Sequence, residues 1–295
     1  MDNNITRTLY GANVQDNLFL GTAQEYQKFT TINEHLNIQK DTLPNVNEHP
    51  ALGCYIWGNK GHRILNGEQG IPLNDPIKHI ATDSGLFGQL PFVLREVTND
   101  LTATQRAKYC LRRIEERNGI NYIAYYGRRL DKTNWKVINY YTQVQDGNST
   151  TTPFVPTQAN LTPTPRELAN VGTNLINADY VSAKSPVVLE LDEADVNDMI
   201  NVAKIIFKDE RYAIMSEIGM CTNVDRMIQA PAGNGGTFQF METIGVQIAS
   251  HVAVYQSLPQ NNTGVKIVLN TGMNEPLFAL SVTDGRTTGG GIVTP

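Results

Sequence analysis

Three consecutive stretches decide the fold class: Ile120-Asn-Tyr-Ile-Ala-Tyr-Tyr-Gly-Arg-Arg129, Asp131-Lys-Thr-Asn134 and Lys136-Val-Ile-Asn-Tyr-Tyr-Thr-Gln-Val144. The outer two are rich in Ile, Val and Tyr, which fit a pleated, half-buried surface, and the middle one carries turn chemistry. Together they are expected to form a β-hairpin. The aromatics Tyr122, Tyr125, Tyr126, Trp135, Tyr140 and Tyr141 fall on both faces. One face is therefore expected in the core and the other partly exposed. Residues 237–282 are also strand-rich. Ile244, Val246, Ile248, Val252 and Val254 share one parity while Gln247 and His251 share the other, the pattern of a half-buried strand. Val265–Leu269 and Leu277–Val282 read as two more strands. With no regular βαβ alternation, the expected fold is α+β, antiparallel and β-rich, in two domains with long irregular loops and arms.

Working outward, two helices are expected. Over 100–118, Ala103, Ala107, Cys110, Leu111 and Ile114 follow 3–4 spacing, Asn99 or Asp100 can cap the start, and Gly119 sits at the C-cap position. Over 193–207, Asp192 is the expected N-cap, Glu193 and Asp195 favour the first turn, and Val196, Met199, Ile200, Ala203 and Phe207 form the buried stripe. Shorter helices are expected near Ala23–Phe29 and over Pro165–Ile176. Ala51–Ile64 reads as a strand, a Gly-rich hairpin turn and a short strand. Val187–Leu191 and Arg211–Gly219 read as strands.

These readings divide the chain into an extended N-terminal arm (1–50), a helix-plus-hairpin domain (51–145), a Thr/Pro-rich linker or long loop (146–186), a β-rich domain with one helix (187–284) and a flexible tail (285–295). The polar first segment fits either a surface-hugging stretch of the same chain or an arm lying on a neighbouring subunit.

The composition narrows the function classes. Of 295 residues, 18% are charged against a typical ~25%, and Asn (29) and Thr (28) fill the gap. The net charge of −5 excludes a wholesale nucleic-acid binder. No apolar run reaches membrane-spanning length, and the start, MDNNITRTLYGANVQDN, lacks a signal-peptide pattern. Cys54, Cys110 and Cys221 form no CxxC pair, and His35, His49, His62, His79 and His251 show no HxxxH or HxH spacing. Neither a disulfide framework nor a metal site is expected. Asp192, Asp195 and Asp198 lack the alternation, glycine and terminal Glu of a calcium loop. No nucleophile elbow, P-loop, dinucleotide fingerprint or HExxH occurs. No catalytic residue and no cofactor are therefore expected, and the chain is read as not an enzyme. The competing reading, a polymer-acting hydrolase, would draw its carboxylates from Glu115, Glu116, Glu193 and Glu217.

Charge is unevenly placed. Residues 95–136 hold ten basic and five acidic side chains in a chain that is acidic overall. Arg106, Arg112, Arg113, Arg128 and Arg129 are the candidate partner-binding residues, suited to an acidic protein neighbour. The interleaved tyrosines also resemble a single-strand binding platform, which keeps a nucleic-acid-binding accessory role as an alternative.

The Asn/Thr-rich composition, low charge, polar N-terminal arm, Thr/Pro central loop and Gly-rich tail form one pattern. Together with the stretches Ala51–Ile64, Val187–Val196 and Tyr212–Cys221, they resemble virion structural proteins of tailed bacteriophages, in particular tail, baseplate or neck components. The likeness is one of style across the chain and carries no residue roles. It implies a location in the virion after assembly in the host cytoplasm. It also implies homo- and hetero-oligomeric contacts with other virion proteins, and no membrane partner.

Overall fold

The computed structural model describes residues 4–24, 32, 44, 48–66, 72–145, 148–163, 179–231, 236–260 and 263–276. Most of the helix expected near Ala23–Phe29 lies outside these residues. So do the helix at Pro165–Ile176, the strand Leu277–Val282 and the 285–295 tail.

In chain order the elements are β1 (Asn4–Arg7), α1 (Leu9–Leu20), β2 (Ala51–Gly58), β3 (His62–Asn66), β4 (Pro72–Pro76), β5 (Gln89–Leu90), β6 (Val93–Glu96), α2 (Ala103–Arg106), β7 (Tyr109–Arg117), β8 (Ile120–Arg129), β9 (Ile138–Gln145), β10 (Asn148–Pro153), α3 (Gln158–Leu161), β11 (Tyr180–Leu191), α4 (Glu193–Phe207), β12 (Ile214–Pro231), β13 (Thr237–Ser257) and β14 (Val265–Pro276). Antiparallel sheet dominates and helices are few, in line with the expected class. Among the described residues no helix is long and apolar enough to cross a membrane.

The chain forms two compact units whose boundaries differ from those expected. One joins Met1–Leu130 to Glu190–Val265; the other joins Asp131–Leu189 to Lys266–Pro295. The 146–186 segment, expected as a linker, carries β10, α3 and the start of β11.

The first unit is built on an eight-stranded sheet of order β1-β13-β12-β2-β8-β6, with β5 also on β2 and β7 also on β8. β2 is central, which explains its unbroken apolar run Cys54-Tyr-Ile-Trp57: both faces are covered. Cys54 and Ile56 pack with Leu94, Ala124, Tyr126, Val202 and Cys221. Tyr55 and Trp57 meet Phe92, with ring centroids 5.4 and 6.4 Å apart. The Gly-rich segment after β2 is not a hairpin turn. β2 pairs with β12, β5 and β8, while β3 pairs with β4, so the chain turns a corner between two sheets at Asn59–Gly61. Burial of Gln247 and His251 beside Ile244, Val246, Ile248 and Val252 shows that β13 is covered on both faces here, not half-buried.

The helix expected over 100–118 is corrected. Only one turn, Ala103–Arg106, is helical, closed by a capping box between Thr102 and Gln105. Residues 109–117 are strand β7, paired along its length with β8, and Tyr109, Leu111 and Glu115 are its buried positions. Asn118 (φ 53°) and Gly119 (φ 76°) form the two-residue connection. Asn-Gly with positive φ at both positions is the favoured tight hairpin turn. The helix C-cap reading of Gly119 thus mistook a hairpin turn for a helix end. Pairing of β8 with β7, β6 and β2 also fills both of its edges, so the expected hairpin of β8 with 136–144 does not form. That stretch becomes β9 of a separate four-stranded sheet, order β10-β9-β11-β14, in the second unit.

The 193–207 helix matches its expectation. Asp192 accepts from the Asp195 amide, Asp195 reciprocates, and Val196, Met199, Val202 and Ala203 are buried.

The described start of the N-terminal segment packs on its own chain. β1 pairs with Ser250–Ala253 of β13, and Thr8 caps α1 while its hydroxyl donates to Ile248 O at 2.7 Å.

Candidate functional site

Of the five candidate arginines, Arg106 ends the helical turn α2, and Arg112, Arg113, Arg128 and Arg129 fall on alternate faces of β7 and β8 where a helix would have gathered them. Each meets an acidic side chain of the same chain. Arg112 donates to Asp100 at 3.0 Å, and Arg106 lies 3.7 Å from the same carboxylate. Hydrogen bonds from Tyr125 and Leu101 and the nearby arginine charges outweigh partial burial and hold the Asp100 carboxyl below its usual range. Arg113 meets Glu115 at 3.0 Å, where Arg117 and Tyr126 also converge. Arg128 forms a bidentate pair with Asp195 at 2.8 and 2.6 Å. Arg129 donates to Asp225 at 2.6 Å and to Thr243 at 2.9 Å. Arg128 and Arg129 are largely buried, so these two work inside the unit.

The hydrolase candidates sit in different surroundings. Glu115 is held by two arginines and a tyrosine, Glu116 and Glu193 are exposed, and Glu217 belongs to the centre described next.

Sequence reasoning missed the most heavily charged buried centre. Glu217, fully buried near the start of β12, accepts from Phe87 N at 2.9 Å, from Gly88 N at 2.8 Å and from His79 Nε2 at 3.0 Å. The other His79 nitrogen, Nδ1, meets Asp83 at 3.0 Å, and Asp83 also accepts from Ile80 N. A Cβ on Gly58 would lie 2.3 Å from Glu217 Oε1, so glycine is what lets this carboxylate seat against β2. With carboxylates on both nitrogens, His79 is an imidazolium, and neither nitrogen is open to serve as a base or metal ligand. Among the described residues no group of His, Cys, Asp and Glu has the arrangement of a metal site. The only sequence signal was a lone Glu inside the apolar run Ile214-Met-Ser-Glu-Ile-Gly-Met220. Its partners lie about 130 positions earlier.

The three cysteines gather in the core, where Cys54 lies opposite Cys221 across β2 and β12 and shares thiol hydrogen bonds with both others. The contact with Cys110 lowers the Cys54 thiol, but the contact with Cys221 and burial outweigh it and push it well up. Cys110 is raised by its bond to Cys54 and by burial. Thiolate is the reactive form, so the native protein is expected to react with an aromatic disulfide reagent at about a tenth or less of the rate of free cysteine. All three thiols should react once denaturant is added. Rapid native labelling would contradict this packing.

The second feature on the outside is a ribbon. β2 pairs with β12 only as far as Asn223, and β1 reaches β13 only at 250–253. Beyond Val224 and Ile244, β12 and β13 pair with each other through Pro231 and Thr237, with no further strand on either among the described residues. This two-stranded arm is roughly 25 Å long at ~3.3 Å per residue. Met227 and Met241 are directly opposite on it, 60% and 52% exposed. Its base is fixed by Arg129 to Asp225 and by Arg226 to Glu48.

One family model matches the chain, over residues 1–285, and the chain belongs to that family: the family of unknown function DUF7208. No curated protein and no solved structure matches.

Proposed function

We propose that this DUF7208 chain is a structural subunit of a tailed-bacteriophage virion, in the tail, baseplate or neck, and that it works by holding neighbouring subunits. The observation that carries this reading is the β12–β13 ribbon. An isolated two-stranded ribbon is marginally stable in water, and strands of 18 and 21 residues far exceed the usual 5–6. An exposed, cross-paired Met227 and Met241 on such a ribbon gains burial only from a neighbour. The edges of the ribbon, which no other described strand covers, add backbone pairing, as in strand addition. The ribbon, and not the internally paired arginines, is the docking element in this reading. The low charge and Asn/Thr-rich surface support it.

The test is a Met227→Asp/Met241→Asp double variant supplied during particle assembly. Burying two methionines is worth about 3–4 kcal/mol in all, so the affinity for the neighbour should fall by two to three orders of magnitude. The variant should keep the wild-type circular dichroism and be depleted from purified particles. Wild-type incorporation of the variant, or absence of the wild-type chain from purified particles by mass spectrometry, would overturn the proposal.

A further inference from the structure

Loop 77–88 joins β4 to β5 and is tied to the first unit along its length. Ile77 N donates to Gly61 O at 2.8 Å, and Gly88 O accepts from Asn59 N at 3.0 Å. Ala81 O accepts from Leu9 N at 2.8 Å, so the loop also holds the first residue of α1. Its middle is pinned by His79, whose ring is sandwiched between Phe87 at 4.2 Å and His251 of β13 at 3.8 Å, the two imidazoles within 10° of parallel.

The two imidazoles differ in what their nitrogens touch. His79 has a carboxylate on each and carries a positive charge. His251 Nε2 meets the carbonyl of Asp83 at 3.2 Å, so that nitrogen must be the N–H. His251 Nδ1 is then a bare lone pair, buried and without a hydrogen-bond partner among the described residues. The other charged groups around the stack are committed. Glu217, from β12, is spent on His79 and two backbone amides, and Asp83, from the loop, on His79 and Ile80 N. On the corner before β3, the Lys60 stem packs against Gly88. His62, on β3, stacks edge-on to Tyr255 of β13; burial lowers its pKa against the pull of Glu217.

We infer that the His79–His251 stack is an acid-triggered latch: protonation of His251 Nδ1 sets a second cation face to face with the first and releases loop 77–88, with the start of α1, from the sheet.

The direction follows from proton linkage. Burial, then the charge of His79, holds His251 down to about 4 in the closed state, against 6.5 for a free imidazole. Opening therefore takes up a proton between these values, and the open-to-closed ratio rises as pH falls from 6.5 toward 4, by up to about tenfold per unit in the middle of that window. His79 acts at the other end. Burial lowers its pKa, but the hydrogen bonds to Glu217 and Asp83 outweigh this and raise it. Its contribution is complete below 6.5 and fades as pH rises through its closed-state value, so it does not drive acid release.

Amide hydrogen exchange at Phe87 and Gly88, both bonded to Glu217, reads the latch directly. After correction for intrinsic rates, wild-type protection should fall roughly 40-fold from pH 6.5 to 4.5 while central β12 amides stay protected. His251→Gln should flatten that dependence, and His79→Gln should lose the protection already at pH 7. In wild-type protein the His251 ring protons should titrate well below 6.5. Retained loop protection at pH 4.5, an equally steep fall in His251→Gln, parallel loss across β12, or a His251 midpoint at 6.5 with the loop still protected would each overturn the inference.

Discussion

Arg128→Ala should lower the unfolding free energy by about 3–5 kcal/mol, measured as a shift of the denaturant midpoint at constant slope. The guanidinium sits 5.5 Å above the Tyr109 ring and pairs in fork geometry with Asp195, with side chains only 12% and 7% exposed. Burial lowers the Arg128 pKa, but the charge of Asp195 outweighs it and raises it, so the pair stays ionised. Removing the arginine leaves a buried carboxylate with only Lys108, at 3.6 Å, in partial compensation. That carboxylate is also a capping-box partner at the start of α4, so the loss spreads to the helix that covers the core. Replacing both partners, Arg128→Met with Asp195→Leu, should recover more than half of the loss, because an apolar pair leaves no charge unpaired. Equal losses in the single and double variants would show that shape, not charge, is what the site supplies. A further consequence is that charge reversal at Arg128 tests folding and not docking.

Glu217→Leu should cost a similar amount, about 3–5 kcal/mol. It strands two backbone amides and a buried imidazolium, and the loop that carries them loses its tie to β12. Glu217→Gln should fall in between. One amide oxygen can still accept, but the NH2 replaces an oxygen that a donor needs. Melting curves of the three proteins should order as Glu, Gln, Leu. A Leu variant as stable as the wild type would mean that the carboxylate is dispensable to the fold.

How far the fold was legible depended on where the information lay. The α4 helix was readable because its cap, first-turn acids and buried stripe are all local and agree with one another. β7 was misread because Ala103, Ala107, Cys110, Leu111 and Ile114 happen to fit helical spacing. The stronger signal, Asn118-Gly119, was assigned to a helix end when it turns a hairpin. β8 and β9 were found as strands but wrongly paired, since nothing local says that the edges of β8 are filled by β7, β6 and β2. The arginines were visible as a charge surplus. The carboxylate partners of Arg128 and Arg129, Asp195 and Asp225, come from the distant half of the chain, while Asp100 and Glu115, which meet the other three, are local. The His79–Glu217 centre joins residues 138 positions apart and leaves almost no local trace.

The interleaving of the two chain halves in one sheet has a consequence for biosynthesis. The opening strand pairs with residues near 250, and the central strand β2 needs β12 beside it. Leaving the ribosome, the first 130 residues therefore wait, with Cys54–Trp57 and the inner face of β8 uncovered, until α4, β12 and β13 have been made. At ~5–20 residues per second, that wait lasts several seconds to tens of seconds. The segment 131–189 belongs to the other unit and is translated during this interval. A nascent chain arrested before residue 214 should be protease-sensitive throughout β2, and synthesis of this protein should lean on chaperones that shield apolar strands more than its final size suggests.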